Sequence, residues 1–346
     1  MKSYQVVEFG KPLELREYEN PIPKDEEVLI KISACGVCHS DIHLTDGFFD
    51  LGKGERITLA DRGTELPFTP GHEITGEVVS KGDNAAINIG DKGIVFPWIG
   101  CQSCNACNNE QETLCENPKY LGARLNGGYS DHIIIPNAKY IISYGNLDPA
   151  QAAPYACSGL TAYSALKKIP KTKTNEFILV IGAGGVGING ILLASSVHKA
   201  KIIAIDIDEN KRKEAKKAGA LEAFSPEQIK QINEYCLGNI VGVIDFVGAE
   251  MTTNLAVNII KKGGTVIVVG LFGGSLSLPI PLIPMRSLNL KGSYVGELNE
   301  LKELIDIIKK GSVKLINVNT QKLSTANEAL SDLRNGKVNG RIVLQP

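Results

Sequence analysis

No one sign of charge dominates this chain. Lys and Arg number 37 against 38 Asp and Glu, for a formal net charge of −1. A chain so balanced has no field to gather nucleic acid or an anionic membrane surface, and neither is expected as a partner. An apolar leader is missing too. The opening MKSYQVVEFGKPLEL is charged and strand-like, without the continuous apolar stretch of a signal peptide. The expectation is a cytoplasmic protein whose cysteines stay reduced. One uncharged run, Phe177–Val197, is as long as a membrane span, but five glycines and Asn189 interrupt it. A buried strand, a tight turn and a buried helix account for it better. Internal repeats and low-complexity tracts are absent, so no repeat array is expected. The basic run Lys211–Lys217, interleaved with Glu214 and Ala215, reads as a solvated helix face.

What is present suffices for a real core: 43% of residues are apolar and 22% charged, as in ordinary soluble domains. A length of 346 residues predicts about two domains. The first half is β-rich. Glu26–Ser33, Ile74–Ser80, Lys92–Phe96 and Tyr129–Ile135 read as short strands between Gly and Pro turns. Asp46–Pro70 reads as a long irregular connection, the kind of loop that often carries function. The rhythm changes after Pro154. A helix over Ser158–Ile169 is followed by apolar runs at Phe177–Ile181, Lys201–Asp206, Gly242–Phe246 and Thr265–Gly270. Between them lie helical stretches after Gly185, over Glu209–Ala218 and from Met251. This alternation predicts parallel strands with crossover helices. The Pro-rich segment Pro279–Pro284 reads as a boundary. Beyond it come a strand near Leu288–Tyr294, helices near Leu298–Lys310 and Thr325–Asn335, and a last strand, Arg341–Leu344. That tail is too short for a third domain, so it is expected to return to the first. The domains are drawn at 1–156, 157–290 and 291–346, with a lobe at about 97–118.

Within that lobe four cysteines, Cys101, Cys104, Cys107 and Cys115, fall in the run CQSCNACNNEQETLC. Four thiolates so close can surround one soft metal ion, for which zinc is the usual occupant. Disulfides are the alternative in an oxidising compartment. An iron–sulfur cluster is a second, but bacterial ferredoxin runs place the fourth cysteine after three residues and follow it with proline. Here seven residues intervene and Glu116 follows, which favours zinc. Four sulfurs saturate a tetrahedral ion, so any chemistry must happen elsewhere.

A second motif is Gly182-Ala183-Gly184-Gly185-Val186-Gly187, which follows the run Phe177–Ile181 and opens a helix. Strand, G-x-G-x-x-G turn and helix together form a dinucleotide fingerprint. The glycines let backbone N–H groups approach a pyrophosphate, which the helix N-terminus attracts. Asp206 ends the next strand, nineteen residues after Gly187. A carboxylate there binds both ribose hydroxyls of NAD and repels the 2′-phosphate of NADP. Lys211 and Arg212, close by, keep some NADP use open.

Further metal-ligand types are scattered: Cys35, Cys38, His39, His43, His72, Glu73, His132, Cys157 and Cys236. Spacing alone does not bring them together. In the contexts GVCHSDIH, PGHE and ACSGLTAY, joined to the 3-3-8 steps of the cysteine lobe, the nucleotide fingerprint and a terminal GRIV, they resemble the zinc-dependent medium-chain alcohol dehydrogenases of microbial NAD-dependent type, over nearly the whole chain. The resemblance implies an α/β fold: a GroES-like β-rich catalytic domain, interrupted in sequence by a Rossmann domain with a doubly wound parallel sheet, and an active site in the cleft between them. It implies that Cys38, His72 and Cys157 hold a catalytic zinc with one open position, and that the lobe holds a structural zinc. Glu73 would lie behind the catalytic metal. Asp41 would hydrogen-bond the ligand histidine, and Ser40 and His43 would form a proton relay. Thr161 and Val186 would pack near the nicotinamide. His39, where relatives often carry Arg, and Arg341 would reach the pyrophosphate, while Gly270 and Lys211 join the nucleotide set. Phe49, Trp98, Tyr120, Leu271 and Tyr294 would line the substrate pocket.

Charge separates the two metals. Zinc with four thiolates is formally −2 and closed. Zinc with two thiolates and a neutral imidazole is formally neutral and open, and such a site can polarise a bound oxygen. The reaction so implied is reversible hydride transfer between a primary or secondary, even cyclic, alcohol and NAD, giving an aldehyde or ketone. A polyol or sugar dehydrogenase of the same family is the near alternative, although Cys157 stands where such enzymes often have a carboxylate. A non-catalytic nucleotide-binding redox sensor is the alternative of another class, and it would have no use for a proton relay. Relatives form homo-oligomers, which favours a tetramer over a dimer here.

Overall fold

The computed structural model describes residues 1–346. Its centre is a six-stranded parallel sheet. In spatial order the strands are Glu222–Phe224, Lys201–Ile205, Phe177–Ile181, Ile240–Asp245, Thr265–Val268 and Asn289–Gly292. Phe177–Ile181 is buried along its whole length, as expected of a strand with helices on both faces. The first strand in sequence lies between the second and the fourth, so the order of connections reverses there. Ligands of open α/β sheets bind outside the strand ends at that reversal.

The second unit is a seven-stranded sheet built mainly on the pair Val28–Gly36 and Glu73–Lys81. The C-terminal strand Arg341–Gln345 joins it, with Val343 opposite Gly36 and Leu344 opposite Cys35. The chain therefore leaves this sheet, forms the parallel one and comes back. A single hydrophobic cluster of 63 buried residues runs through both units, including Ile30, Ile74, Leu160 and Ile178.

Three sequence expectations need correction. Asp46–Pro70 is not wholly irregular, because Phe48–Gly52 and Glu55–Thr58 pair as an antiparallel hairpin. Its residues are half-buried or exposed, so no clean apolar alternation advertised it. Pro279–Pro284 is not a boundary. It lies in the crossover between the fifth and sixth strands of one sheet and runs into the short helix Leu282–Arg286. A division at 290 falls inside the edge strand Asn289–Gly292, all four residues of which are exposed. The run Phe177–Val197 resolves into a strand and the helix Gly185–Val197, and no helix is long and apolar enough to cross a membrane. The strands Glu222–Phe224 and Val318–Lys322 and the helix Ile229–Tyr235 were not anticipated. They are short, and Val318–Lys322 buries none of its residues.

The turn into the helix Gly185–Val197 places the fingerprint. Gly182 has φ +87°, a left-handed conformation that favours glycine. A Cβ on Gly187 would fall on the carbonyl oxygen of Gly182, so helix and strand meet only because Gly187 lacks one. Gly187→Ala should destabilise the protein by about 1–3 kcal/mol through forced backbone shifts. Urea unfolding curves of the two proteins check this.

Candidate active site and metal centres

The four lobe cysteines come together: their sulfurs lie within 4.8 Å of one another. Cys104 and Cys107 are 3.5 Å apart, and Cys101 and Cys107 3.9 Å. All eight cysteines of the chain are free thiols, and these separations are far from a disulfide bond of ~2.05 Å. They match a sulfur tetrahedron around zinc, whose edges are ~3.8 Å for metal–sulfur bonds of ~2.3 Å. Buried Glu112 anchors the lobe. Its carboxylate accepts the Gly100 N–H at 2.7 Å and the Tyr140 hydroxyl at 2.8 Å, and Lys139 lies 3.4 Å away. The lobe also docks on the start of the helix Leu298–Lys309, where Glu297 accepts from the Thr113 hydroxyl and Asn299 donates to Glu110 at 2.7 Å.

The second centre joins three distant segments. Cys38 precedes the helix His39–Asp46, His72 precedes the strand Glu73–Lys81, and Cys157 precedes the helix Ser158–Lys167. All three are buried, and their ligand atoms lie within 4.8 Å of one another. The two sulfurs are 4.0 Å apart. The Cys157 contact, opposed by burial and aided by His72, holds Cys38 well below the ordinary thiol range. The same contact and burial raise Cys157.

Asp41 organises this centre. Its carboxylate lies 3.1 Å from His72 Nδ1 and accepts the Cys38 N–H at 2.9 Å, the Gly71 N–H at 3.2 Å and the Tyr129 hydroxyl at 3.0 Å. With Nδ1–H donating to Asp41, the Nε2 lone pair faces the sulfurs, and Nε2 is buried without a protein partner. A buried acceptor left alone costs about 1–3 kcal/mol. Two thiols and one unpartnered imidazole nitrogen, fixed through its other nitrogen, are the donor set of an open zinc site. Burial works to lower His72, yet Asp41 holds it well above the ordinary imidazole range. That charge equally favours a metal cation at Nε2.

Glu73 is wholly buried directly after His72. It pairs with Arg341 at 2.5 Å and accepts the Ser158 N–H at 3.2 Å. Burial, opposed by Arg341, pushes its carboxyl up to about 7. Arg341 itself is only 4% exposed and packs against Gly185. Its charge is therefore placed beneath the nucleotide turn and already paired with Glu73.

Ser40 and His43 are three residues apart on the helix His39–Asp46, a spacing that puts them on one face. The His43 ring packs on Phe49 with centroids 5.0 Å apart. Burial lowers the pKa of His43, with Asp46 opposing. Desolvation lowers His39, Cys38 opposes this, and the charges of Arg341 and Lys211 add to the lowering. At the nucleotide turn Asp206 accepts the N–H of Ala183 at 2.8 Å and that of Asp208 at 2.9 Å. A Cβ on Gly184 would meet nothing within 4 Å, which leaves that face open to a ligand. Val186 is half-buried in the first turn. The Thr161 hydroxyl is buried without a protein partner. Arg212 donates to the carbonyls of Asp206 and Ile207 at 2.8 and 2.9 Å. Gly270 is explained by packing, since a Cβ there would strike the Val247 backbone.

Of the five expected pocket residues, one packs on a ligand of the open centre and two more pack on that one. Trp98 packs on His72 at 5.2 Å, and on Tyr120 and Tyr294 at 5.5 and 5.9 Å. Phe49 joins through His43. Leu271 stands apart, with 45% of its surface exposed, on the loop whose Gly273 and Gly274 abut Asp50 and Gly52 of the hairpin. A separate surface hollow of about 570 Å³, lined by Phe68, Lys119 and Arg124 among others, contains none of the metal-ligating side chains. Sequence reading missed Tyr129, Ser158 and Asn189. Tyr129 reaches Asp41 across 88 residues, and no local pattern announces such a partner.

Two family models match the chain. That of the alcohol dehydrogenase GroES-like domain covers residues 24–144, and that of zinc-binding dehydrogenases covers residues 185–310. An NAD-dependent alcohol dehydrogenase of Sulfurisphaera tokodaii is 36% identical over 351 aligned positions, covering 100% of both chains. Among solved structures, the alcohol dehydrogenase of Aeropyrum pernix has a TM-score of 0.89 at 28% identity, with all of both chains covered. The acetophenone reductase of Geotrichum candidum, in complex with NAD, has a TM-score of 0.83 at 29% identity, covering 100% of this chain and 97% of that one. Similarity of this extent, from first residue to last and on two successive family models, makes the chain a member of the zinc-dependent medium-chain alcohol dehydrogenases.

Proposed function

We propose that the protein is an NAD-dependent alcohol dehydrogenase that interconverts a primary or secondary alcohol with its aldehyde or ketone. The observation that carries this reading is the buried trio Cys38, His72 and Cys157, with His72 Nε2 unpartnered beside the face carrying Ser40 and His43. When bound there, zinc supplies Lewis acidity at one open position, and NAD accepts the hydride. The protein's part is positional. Asp41 fixes the tautomer and orientation of the His72 ring. Buried Trp98 and Tyr120 keep water from the reacting carbon and, with Tyr294 beside them, favour an apolar alcohol. Ser40 hands the alcohol proton towards His43, whose low pKa leaves it neutral and able to accept at neutral pH. His43 then releases it to solvent, so hydride and proton together leave a carbonyl. Asp206 binds the ribose hydroxyls. Arg212 already donates to the carbonyls of Asp206 and Ile207, and this, with the Asp206 carboxylate, supports NAD over NADP.

We also propose a homo-oligomer in a reducing, cytoplasmic setting, the latter supported by eight free thiols. The edge strand Asn289–Gly292, all four residues of which are exposed, carries Leu290, 42% exposed, and follows a segment with Ile280 and Met285, which are 78% and 66% exposed. A second copy pairing along this edge would satisfy its backbone and cover that apolar patch. Such a dimer is the building block of the expected tetramer.

Three outcomes are expected. Cys38→Ser should abolish NAD reduction with a panel of alcohols and lower zinc content from two ions per chain to one, while NADH still binds in a fluorescence titration. Unchanged turnover in that variant would sink the site assignment. His43→Ala should lower kcat by roughly a hundredfold, the low end of proton-transfer effects. It should also remove the acid limb of the pH–rate profile, because protonation of His43 at low pH no longer matters. Leu290→Glu combined with Met285→Glu should shift the light-scattering mass towards the single-chain 37.2 kDa.

A further inference from the structure

We infer that Asn189 is a positioning residue that ties the nucleotide turn to the metal-binding loop, so that occupancy of one site alters affinity at the other. The inference rests on the zinc and NAD reading above and adds a residue to it. Asn189 is the fifth residue of the helix Gly185–Val197 and is 1% exposed. Its Nδ2 donates to the Ser158 hydroxyl at 3.2 Å and to the Gly185 carbonyl at 3.3 Å. Ser158 directly follows Cys157. Its N–H donates to Glu73, and its hydroxyl donates to the Pro154 carbonyl at 2.9 Å. Glu73 directly follows His72 and pairs with Arg341, whose Cδ lies 2.5 Å from where a Gly185 Cβ would be.

The connection closes on itself: Gly185, Asn189, Ser158, Glu73, Arg341 and back to Gly185. Two of the three ligands of the open centre have their immediate neighbour in this ring. The opposite side of the ring is the helix start whose N–H groups would receive a pyrophosphate. The four side chains are each at most 4% exposed, so water does not substitute for any of them. Plain helix packing does not require asparagine here. An apolar residue would avoid the poor helix propensity of Asn, and the Asn189 Oδ1 is itself buried without a partner, an arrangement that costs stability. A group retained at that cost, bridging two binding sites, is placed to transmit a shift. Backbone movement of Gly185 on binding a nucleotide would pull on Ser158 through the Asn189 amide, and Ser158 would pass it to Cys157 along the chain and to Glu73 through its N–H. By linkage the effect is reciprocal.

The test uses the zinc-loaded full chain, with NADH and imidazole as probes, imidazole being a simple ligand for the open metal position. The NADH Kd is measured by fluorescence with and without saturating imidazole. The ratio of the two values is the coupling factor. For the wild type a factor in the range of roughly 5 to 150, in either direction, is expected. Asn189→Ala and Ser158→Ala should each bring it to within about twofold of one. The double variant should do no more than either single one, because the two residues form one link. Thermal melts establish that the variants are folded, and Ser158→Ala serves if Asn189→Ala is not. A wild-type factor near one, or a factor preserved within twofold in the folded variants, overturns the inference and leaves the enzyme reading standing. Failure of the wild type to bind either probe would overturn that reading and this inference together.

Discussion

The site depends on a single buried carboxylate. Asp41 is inaccessible to solvent, and four donors from three different segments converge on it: the Cys38 N–H, the Gly71 N–H with His72 Nδ1 beside it, and the Tyr129 hydroxyl. A carboxylate in so dry a place persists only with such company. The donors are the very segments that carry two of the metal ligands, so the requirement to satisfy Asp41 also sets the position of Cys38 and the direction of His72 Nε2. The ligand geometry is thus built from the rear. Folding assembles it, and the site is in place before any substrate arrives.

Behind His72 lies a second buried charge pair, and it explains why the chain must double back. Arg341 reaches Glu73 because its strand, the last in the chain, pairs with Val28–Gly36. Removing either member would strand the other in a dry interior, which costs far more than the net worth of the pair. Arg341 also supports Gly185 from below. The return of the C-terminus is therefore a structural requirement of the site as well as of the sheet: it brings the one cation that touches both the metal end and the nucleotide end. Zinc with two thiolates and one imidazole adds no net charge, so this ion pair is balanced with the metal present.

The repeating parts of this architecture were legible because they are local. Phe177–Ile181 and the G-x-G-x-x-G turn are adjacent in sequence, and their geometry follows from glycine sterics and strand burial. The cysteine lobe is equally local, and its tetrahedron follows from its spacing. The open centre was legible only through resemblance, since Cys38, His72 and Cys157 span 119 residues and nothing in their separations implies contact. The supporting residues Tyr129, Ser158 and Asn189 escaped notice for the same reason: each looks like an ordinary strand or helix residue until its distant partner is known. The boundary errors have a different cause. Asn289–Gly292 and the hairpin at 48–58 are exposed, so burial imposed no periodic signature on them.

The substrate wall was the hardest part to read, and the closed cysteine lobe shows why. Tyr120 donates to the Thr113 carbonyl at 3.3 Å, and the Thr113 hydroxyl is held by Glu297. Tyr294 stands just beyond the edge strand of the parallel sheet, while Trp98 is held by the Ala156 carbonyl at 3.1 Å. The ring that packs on His72 and its two neighbours thus come from the lobe, its flank and a position just beyond the edge of the nucleotide sheet. Their mutual spacing is a property of how the two units sit together. A closed metal held by the four cysteines would perform no chemistry but would still bear on the pocket, because Thr113, which both Tyr120 and Glu297 reach, lies two residues before Cys115. The shape presented to an alcohol is accordingly set by interdomain docking through Glu297 and Asn299 as much as by the ring residues themselves.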